Sequence, residues 1–356
     1  MAGLSASHAG DTVGLGRLLW LDFVKGAAIA LVVLNHALLW PMRAGSPSAA
    51  FLYGTCYGTV AAFAAVTGYI SGRRPIADKR AFVRRRTRQL LLPWAVWAPV
   101  YALAPFVARA LGLKLPVAAE PTAWTLAILF GGGALWFLPV LLAATVVATW
   151  LDGRVDSWTP FFVGIAGYFA IAALALVAFR QPMSPLAFGR GTLWGTLPLY
   201  FASYWFGLRV SRERIALRTP SHSTPCEPSP FLRRRLWVLL LIVSTLAAGG
   251  STLLRQTTGI AWLSWTTYLA GAAGGWAALV LAVRGGREPG GLLMRVTRLG
   301  SVSLGVYVLH PLVLGPVMFL LGERATLPVS IAAGILTVAL TSGVVHGYRA
   351  MRAPLR

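Results

Sequence analysis

The chain carries repeated apolar runs of about twenty residues, and these limit its fold more than any other feature. Residues 18–40 are broken only by Asp22, Lys25 and His36, and residues 327–345 contain no charge. An α-helix rises ~1.5 Å per residue, so such a run matches a hydrocarbon core of roughly 30 Å. A membrane β-barrel would instead need segments of about ten residues in strict alternation, which the sequence does not show. With 57% hydrophobic residues, 12% charged residues and a mean hydropathy of +0.68, the chain has too little polar surface for a water-soluble domain. These features predict an all-α integral membrane protein.

Ten transmembrane helices are expected, over about 18–40, 51–70, 90–107, 134–150, 161–179, 194–210, 236–254, 260–283, 302–321 and 327–348. The 194–210 run is the weakest of them. Residues 122–130 are apolar but too short to cross, and Gly131–Gly133 follows them, which suggests an interfacial or re-entrant piece. The reading is one membrane domain over 17–348. A flexible N-terminus (1–16) precedes it, a short tail (349–356) follows it, and a Pro/Ser-rich loop spans 211–232. No cleavable signal peptide is expected. No inverted repeat relates the two halves.

The net charge of +22 resembles a nucleic-acid signature until the charges are placed. With the N-terminus in the cytoplasm, 24 of the 32 Lys and Arg fall on cytoplasmic segments and 7 on outer ones, while Lys25 lies within the first span. Residues 73–88 and 209–235 hold most of the excess. This is the positive-inside bias, so the charge sets topology, with both termini cytoplasmic, and favours anionic lipid. Nucleic acid is not needed to explain it. Cys56 and Cys226 offer neither metal-ligand spacing nor a disulfide framework, and no metal site is expected. The Ala, Gly and Arg richness suggests a bacterial cytoplasmic membrane.

Ionisable groups within a span are costly and mark candidate sites. Asp22 and Lys25 are three residues apart and can pair. Lys25 and His36 are eleven apart, nearly three helical turns, so they share one face with ~16 Å between them. The first helix thus places an ion pair near the cytoplasmic side and an imidazole toward the outer side. Gly26 lets another helix or a ligand approach closely.

At this point the chain resembles a known family. Arg17, Asp22, Lys25, Gly26 and His36, in RLLWLDFVKGAAIALVVLNH, resemble the opening signature of the bacterial acyltransferase-3 family. FAAVTGY at 63–69 resembles that family's FFxxSGY stretch, with Thr67 in place of Ser. RRTRQLLLP at 85–93, Trp136 in LWFL, and SLGVYVLH at 303–310 resemble three later motifs. The resemblance implies a ten-helix enzyme that takes an acyl group, acetyl or succinyl, from cytoplasmic acyl-CoA and passes it to a hydroxyl. The acceptor would be a glycan, glycolipid or natural product at the outer face. No bound cofactor is implied, and acyl-CoA is a co-substrate.

His36 is the expected general base, since a neutral imidazole suits removal of a hydroxyl proton. The plainer alternative is a histidine that only bonds its own helix. Lys25, Arg85 and Arg88 are candidate anchors for CoA phosphates, against the plainer reading that topology alone explains the arginines. Asp22, Arg17 and Thr67 are expected to support the site. Tyr307, His310 and Trp136 are candidates to line an acceptor pore, although Trp136 equally fits an interfacial aromatic belt. Glu120 and Glu323 are candidates to reach inward and orient His36. His8, His222 and His346 are expected to be solvated or at the lipid interface. Competing readings are a transporter or flippase that uses Asp22, Lys25 and His36 as an ion relay, and a heparan-glucosaminide-type acetyltransferase, at which Asn35 hints. Self-association is left open.

The topology is testable in intact cells. A cysteine placed at Ala77 should resist an impermeant thiol reagent added outside and react only after permeabilisation. Labelling from outside would reverse the assigned orientation.

Overall fold

The computed structural model describes residues 19–73, 75–110, 135–179, 195–216, 230–260, 262–284 and 291–352. Among them every regular element is a helix. These are α1 (Leu19–Arg43), α2 (Pro47–Thr55), α3 (Gly58–Gly72), α4 (Lys79–Ala110), α5 (Phe137–Leu151) and α6 (Thr159–Phe179). Then follow α7 (Leu197–Ala216), α8 (Pro230–Thr258), α9 (Leu263–Arg284), α10 (Gly291–Ser301), α11 (Ser303–Leu321), a 3-10 turn (Gly322–Arg324) and α12 (Leu327–Arg352).

Among the described residues, six helical segments are by themselves long and apolar enough to cross a membrane: Leu19–Arg43, Pro47–Gly72, Arg234–Thr258, Leu263–Arg284, Ser303–Leu321 and Leu327–Met351. Phe137–Leu151 and Thr159–Leu174 are apolar but shorter. The spans expected over 90–107 and 194–210 fall on α4 and α7. The bundle's outer surface is apolar. Leu236, Leu239, Ile242, Val243 and Leu246 on α8 are each more than half exposed, as are Ile335 and Val344 on α12. A continuous apolar exterior of this kind suits lipid and would be a liability in water.

Three expectations change. The run 51–70 is two helices, because a turn at Cys56 and Tyr57 separates α2 from α3. Residues 291–301, which fall between the expected spans 260–283 and 302–321, form the amphipathic helix α10, which lies against α1. The flanks of the loop at 211–232 are helical, since α7 continues to Ala216 and α8 begins at Pro230. The 1–16 segment, the apolar piece at 122–130, Arg17, Glu120 and Cys226 lie outside the described residues.

Small residues set how the helices meet. α3 packs between α7 and α9, and it also touches α1 and α5. At its crossing with α7 the two backbones touch directly: a Cβ on Gly68 would strike the Tyr204 carbonyl oxygen, and one on Gly207 would strike that of Ala65. Gly68 is the glycine of the TGY motif, so the motif's glycine is a helix-crossing residue. α1 meets α10 in the same way, with Gly26 against the Val296 carbonyl and Gly300 against that of Asp22. Bundles without a hydrophobic driving force between helices gain from this kind of close van der Waals approach. Larger side chains fill the spaces between crossings: Tyr168, Tyr200, Tyr204 and Trp205 are fully buried.

An ionic clasp closes the end of the bundle where α4 begins. Asp152 accepts from Arg212 through its carboxylate (2.8 Å) and from Lys79 through its carbonyl (2.5 Å). Arg209 pairs with Asp156 and Glu213, and Trp158 donates to Glu213 (2.8 Å). The turn between α5 and α6 is thereby tied to both α4 and α7.

Gly68→Ala should therefore destabilise the bundle, because overpacking typically costs about 1–3 kcal/mol and here the obstacle is backbone. Gly250→Ala, which meets nothing within 4 Å, should be neutral or mildly stabilising by helix propensity. Thermal unfolding of the two variants in detergent compares them directly.

Candidate functional site

α1 runs unbroken through Lys25 and His36, so their separation along the axis stays at ~16 Å. Near the helix's N-terminal end Lys25 pairs with Asp22 at 2.5 Å, with the Asp22 side chain nearly buried. The close approach that Gly26 permits is taken by α10. At the other end His36 is half-buried, and its Nδ1 lies 2.8 Å from the Val32 carbonyl oxygen. A carbonyl can only accept, so Nδ1 carries the hydrogen. The neutral ring therefore keeps its lone pair at Nε2. The plainer expectation for His36, a bond to its own helix, is met, and that bond is what fixes Nε2 as the basic atom. Orientation comes from the preceding helical turn. Glu120 lies outside the described residues, and Glu323 falls in the 3-10 turn after α11.

His310 comes from α11 and is fully buried. Its ring centroid lies 5.0 Å from that of His36, with the planes at 62°. Its Nδ1 faces the Tyr307 carbonyl at 2.7 Å, so by the same argument Nε2 holds the lone pair. That Nε2 is buried and has no hydrogen-bond partner among the described residues. Tyr101 of α4 donates to the Val308 carbonyl and ties α4 to this part of α11.

Around the two imidazoles the dispersed aromatic motifs converge. The Tyr307 ring lies 5.9 Å from His310 and 6.3 Å from Phe137. Phe137 also packs on Phe63 (6.3 Å) and Tyr200 (5.8 Å), and Trp136 packs on Tyr200 (5.6 Å). Edge-to-face contacts of this kind hold rings rigidly. Trp136 thus joins the aromatic cluster, half-buried at its edge. Thr67 donates to the Phe63 carbonyl (2.8 Å), which a serine could do equally well. Asn35 donates to the Tyr53 carbonyl and anchors α2.

The second feature is a basic cavity of about 600 Å³ where α3 ends and α4 begins, lined by Ser71, Arg73, Asp78, Phe82, Arg85 and Arg86 among others. A smaller neighbour of about 330 Å³ is lined by Arg84, Arg85 and Arg88. Arg85 and Arg88 are exposed, as solvated topology charges would be. Lys25 lines neither cavity. Arg86 is not singled out by its sequence context, yet among the arginines of residues 80–88 it is the half-buried one, and its Nε has no partner among the described residues. Burial draws its pKa below the ordinary guanidinium value, and the nearby Tyr204 opposes this. The signal was present in the spacing: Phe82, Arg86 and Leu90 form one inward stripe at intervals of four. Asp78, the one carboxylate in the lining, caps α4 by accepting from the Ala81 amide (2.9 Å).

Helices with an apolar exterior around two basic imidazole nitrogens define a polytopic membrane protein with a proton-accepting site inside the bundle. A family model described as an acyltransferase domain matches residues 18–346, nearly the whole chain, and the protein belongs to this acyltransferase-3 family. No curated protein and no solved structure matches the chain. Membership favours an acyltransferase over the transporter alternative, and this family over the heparan-glucosaminide-type one.

The under-compensated Arg86 should attract an anion. Arg86→Ala should weaken binding of adenosine 3′,5′-bisphosphate about ten- to a hundredfold, the equivalent of about 1.5–3 kcal/mol for a charge-assisted hydrogen bond. Arg88→Ala, on the exposed face, should weaken it less, and titration calorimetry on the purified protein measures both.

Proposed function

We propose that the protein transfers an acyl group, acetyl in the simplest case, from cytoplasmic acyl-CoA to a hydroxyl of a glycan or glycosylated acceptor at the outer side of a bacterial inner membrane. The observation that carries this reading is the fixed tautomer of His36. Its Nδ1–H is held by Val32, so Nε2 stands as a base beside His310 within an acyltransferase-family bundle.

The donor's phosphates would engage the cavity of Arg73, Arg85 and Arg86, where guanidinium forks suit phosphate oxygens. Lys25, at the inner end of α1, is a further candidate for the same charge, although it already pairs with Asp22. α4 links the two regions: Arg86 lines the cavity, and fifteen residues on, or ~22 Å along the helix, Tyr101 bonds α11 next to His310. An extended thioester arm lying along α4 would bring its carbonyl toward the imidazoles.

The chemistry then balances simply. The acceptor hydroxyl gives its proton to His36 Nε2, and its oxygen attacks the thioester carbonyl. The tetrahedral adduct collapses with cleavage of the C–S bond. The departing thiolate takes the proton back, leaving an ester and free CoA thiol. Proton transfer by a positioned base contributes roughly a hundred- to ten-thousandfold.

His36→Ala should therefore reduce CoA-thiol release from acetyl-CoA by about that factor in the purified protein, with acetyl-CoA affinity preserved. Near-normal turnover by this variant would remove His36 from the role of base.

A further inference from the structure

His310 is a buried polar side chain at this site that the mechanism above leaves unused. It is fully buried, its Nδ1–H is committed to the Tyr307 carbonyl, and its Nε2 lone pair meets no donor among the described residues. An unsatisfied buried acceptor ordinarily costs about 1–3 kcal/mol, so a native protein that retains one usually puts it to use. His36 stands next to it with the same tautomer, held by the same kind of bond. While both rings are neutral, each Nε2 can only accept, and neither can hydrogen-bond the other. Once one Nε2 gains a proton, it can donate to the other. An N–H···N bond of roughly 3 Å fits between rings whose centroids are 5.0 Å apart.

We propose that His310 is a positioning residue that acts through His36. Its Nε2 accepts a hydrogen bond from the Nε2–H that His36 acquires from the acceptor hydroxyl, spreading the imidazolium charge over two rings. The inference rests on the acyl-transfer reading of His36. The bond appears only after proton transfer, so it stabilises the charged stage more than the resting state, which is the condition for speeding the chemical step. The proton passes from the acceptor oxygen to His36 Nε2, is shared with His310 Nε2, and leaves on the CoA sulfur. No further reactant is required. His346 supports the distinction: its Nδ1 makes the same bond to its own helix, at the Ser342 carbonyl, but it is exposed and no ring contact pairs it with a second imidazole among the described residues.

Two measurements on the full-length protein in lipid nanodiscs test this. The first is nitrogen NMR of protein labelled at its 5 histidines, with His36→Gln used for assignment. At neutral pH in the wild type, His310 should show a protonated Nδ1 and an unprotonated Nε2, and its Nε2 signal should move in His36→Gln. A proton on His310 Nε2 in the resting protein overturns the proposal. The second is CoA-thiol release from acetyl-CoA with ethanol or 2,2,2-trifluoroethanol as acceptor. His310→Gln should slow transfer to ethanol about ten- to a hundredfold. It should slow transfer to the more acidic trifluoroethanol much less, because a hydroxyl that gives up its proton readily depends less on a stabilised imidazolium. Equal losses with both alcohols would mean a purely structural histidine and would overturn the proposal alone. Failure of the wild type to release thiol with either alcohol would overturn the acyl-transfer reading itself, and the His310 role with it. The NMR measurement keeps the proposal falsifiable should His310→Gln not fold, since the wild-type signals carry it.

Discussion

Inside a bilayer a polar side chain cannot turn to water, and in this bundle most of the described threonines turn to their own helix. Thr67, Thr145, Thr149, Ser203, Thr252, Thr267, Thr337 and Thr341 each donate to the carbonyl one turn earlier. His36 and His310 do the same through Nδ1. Two results follow. Polar groups neutralised along their own helix contribute little to joining helices, so association falls to backbone contact at glycines such as Gly68 and Gly207. An imidazole satisfied in this way is locked with Nδ1 protonated and Nε2 basic. The fold and the proposed chemistry thus come from one constraint.

The helical class and the special place of the first span were legible in the sequence. Length, hydropathy and the eleven-residue spacing from Lys25 to His36 depend only on local geometry, and α1 preserves them. The aromatic motifs were legible one by one, but not their convergence. Phe63, Phe137, Tyr200 and Tyr307 come from four helices, and only packing brings them to one place. The same holds for His36 and His310, which lie at opposite ends of the chain.

Other features escaped for identifiable physical reasons. The break at Cys56 and Tyr57 leaves no mark in hydropathy, because both halves stay apolar and no proline intervenes. α10 was hidden because Arg295 and Arg298 within an eleven-residue stretch read as linker charge, whereas its apolar side and Gly300 seat it on α1. Among the clustered arginines, composition marks all as cytoplasmic topology signals. Only the interval of four through Phe82 and Leu90 singles out Arg86 as the inward one.

The embrace of α1 bears on how such a chain comes into being. Besides α2, α3 and α9, α1 is held by α10, α11 and α12, which come far later in the chain. A nascent chain that has released only its first nine helices therefore carries His36 without His310, and Gly26 without the backbone that covers it. The bundle stays open along one side of α1 until residues 291–352 are made, a stretch that takes roughly 3–12 s at ordinary elongation rates of about 5–20 residues per second. The imidazole pair is completed only once α11 has emerged, so a product truncated before it would sit in the bilayer with α1 unclosed and His36 without its neighbour.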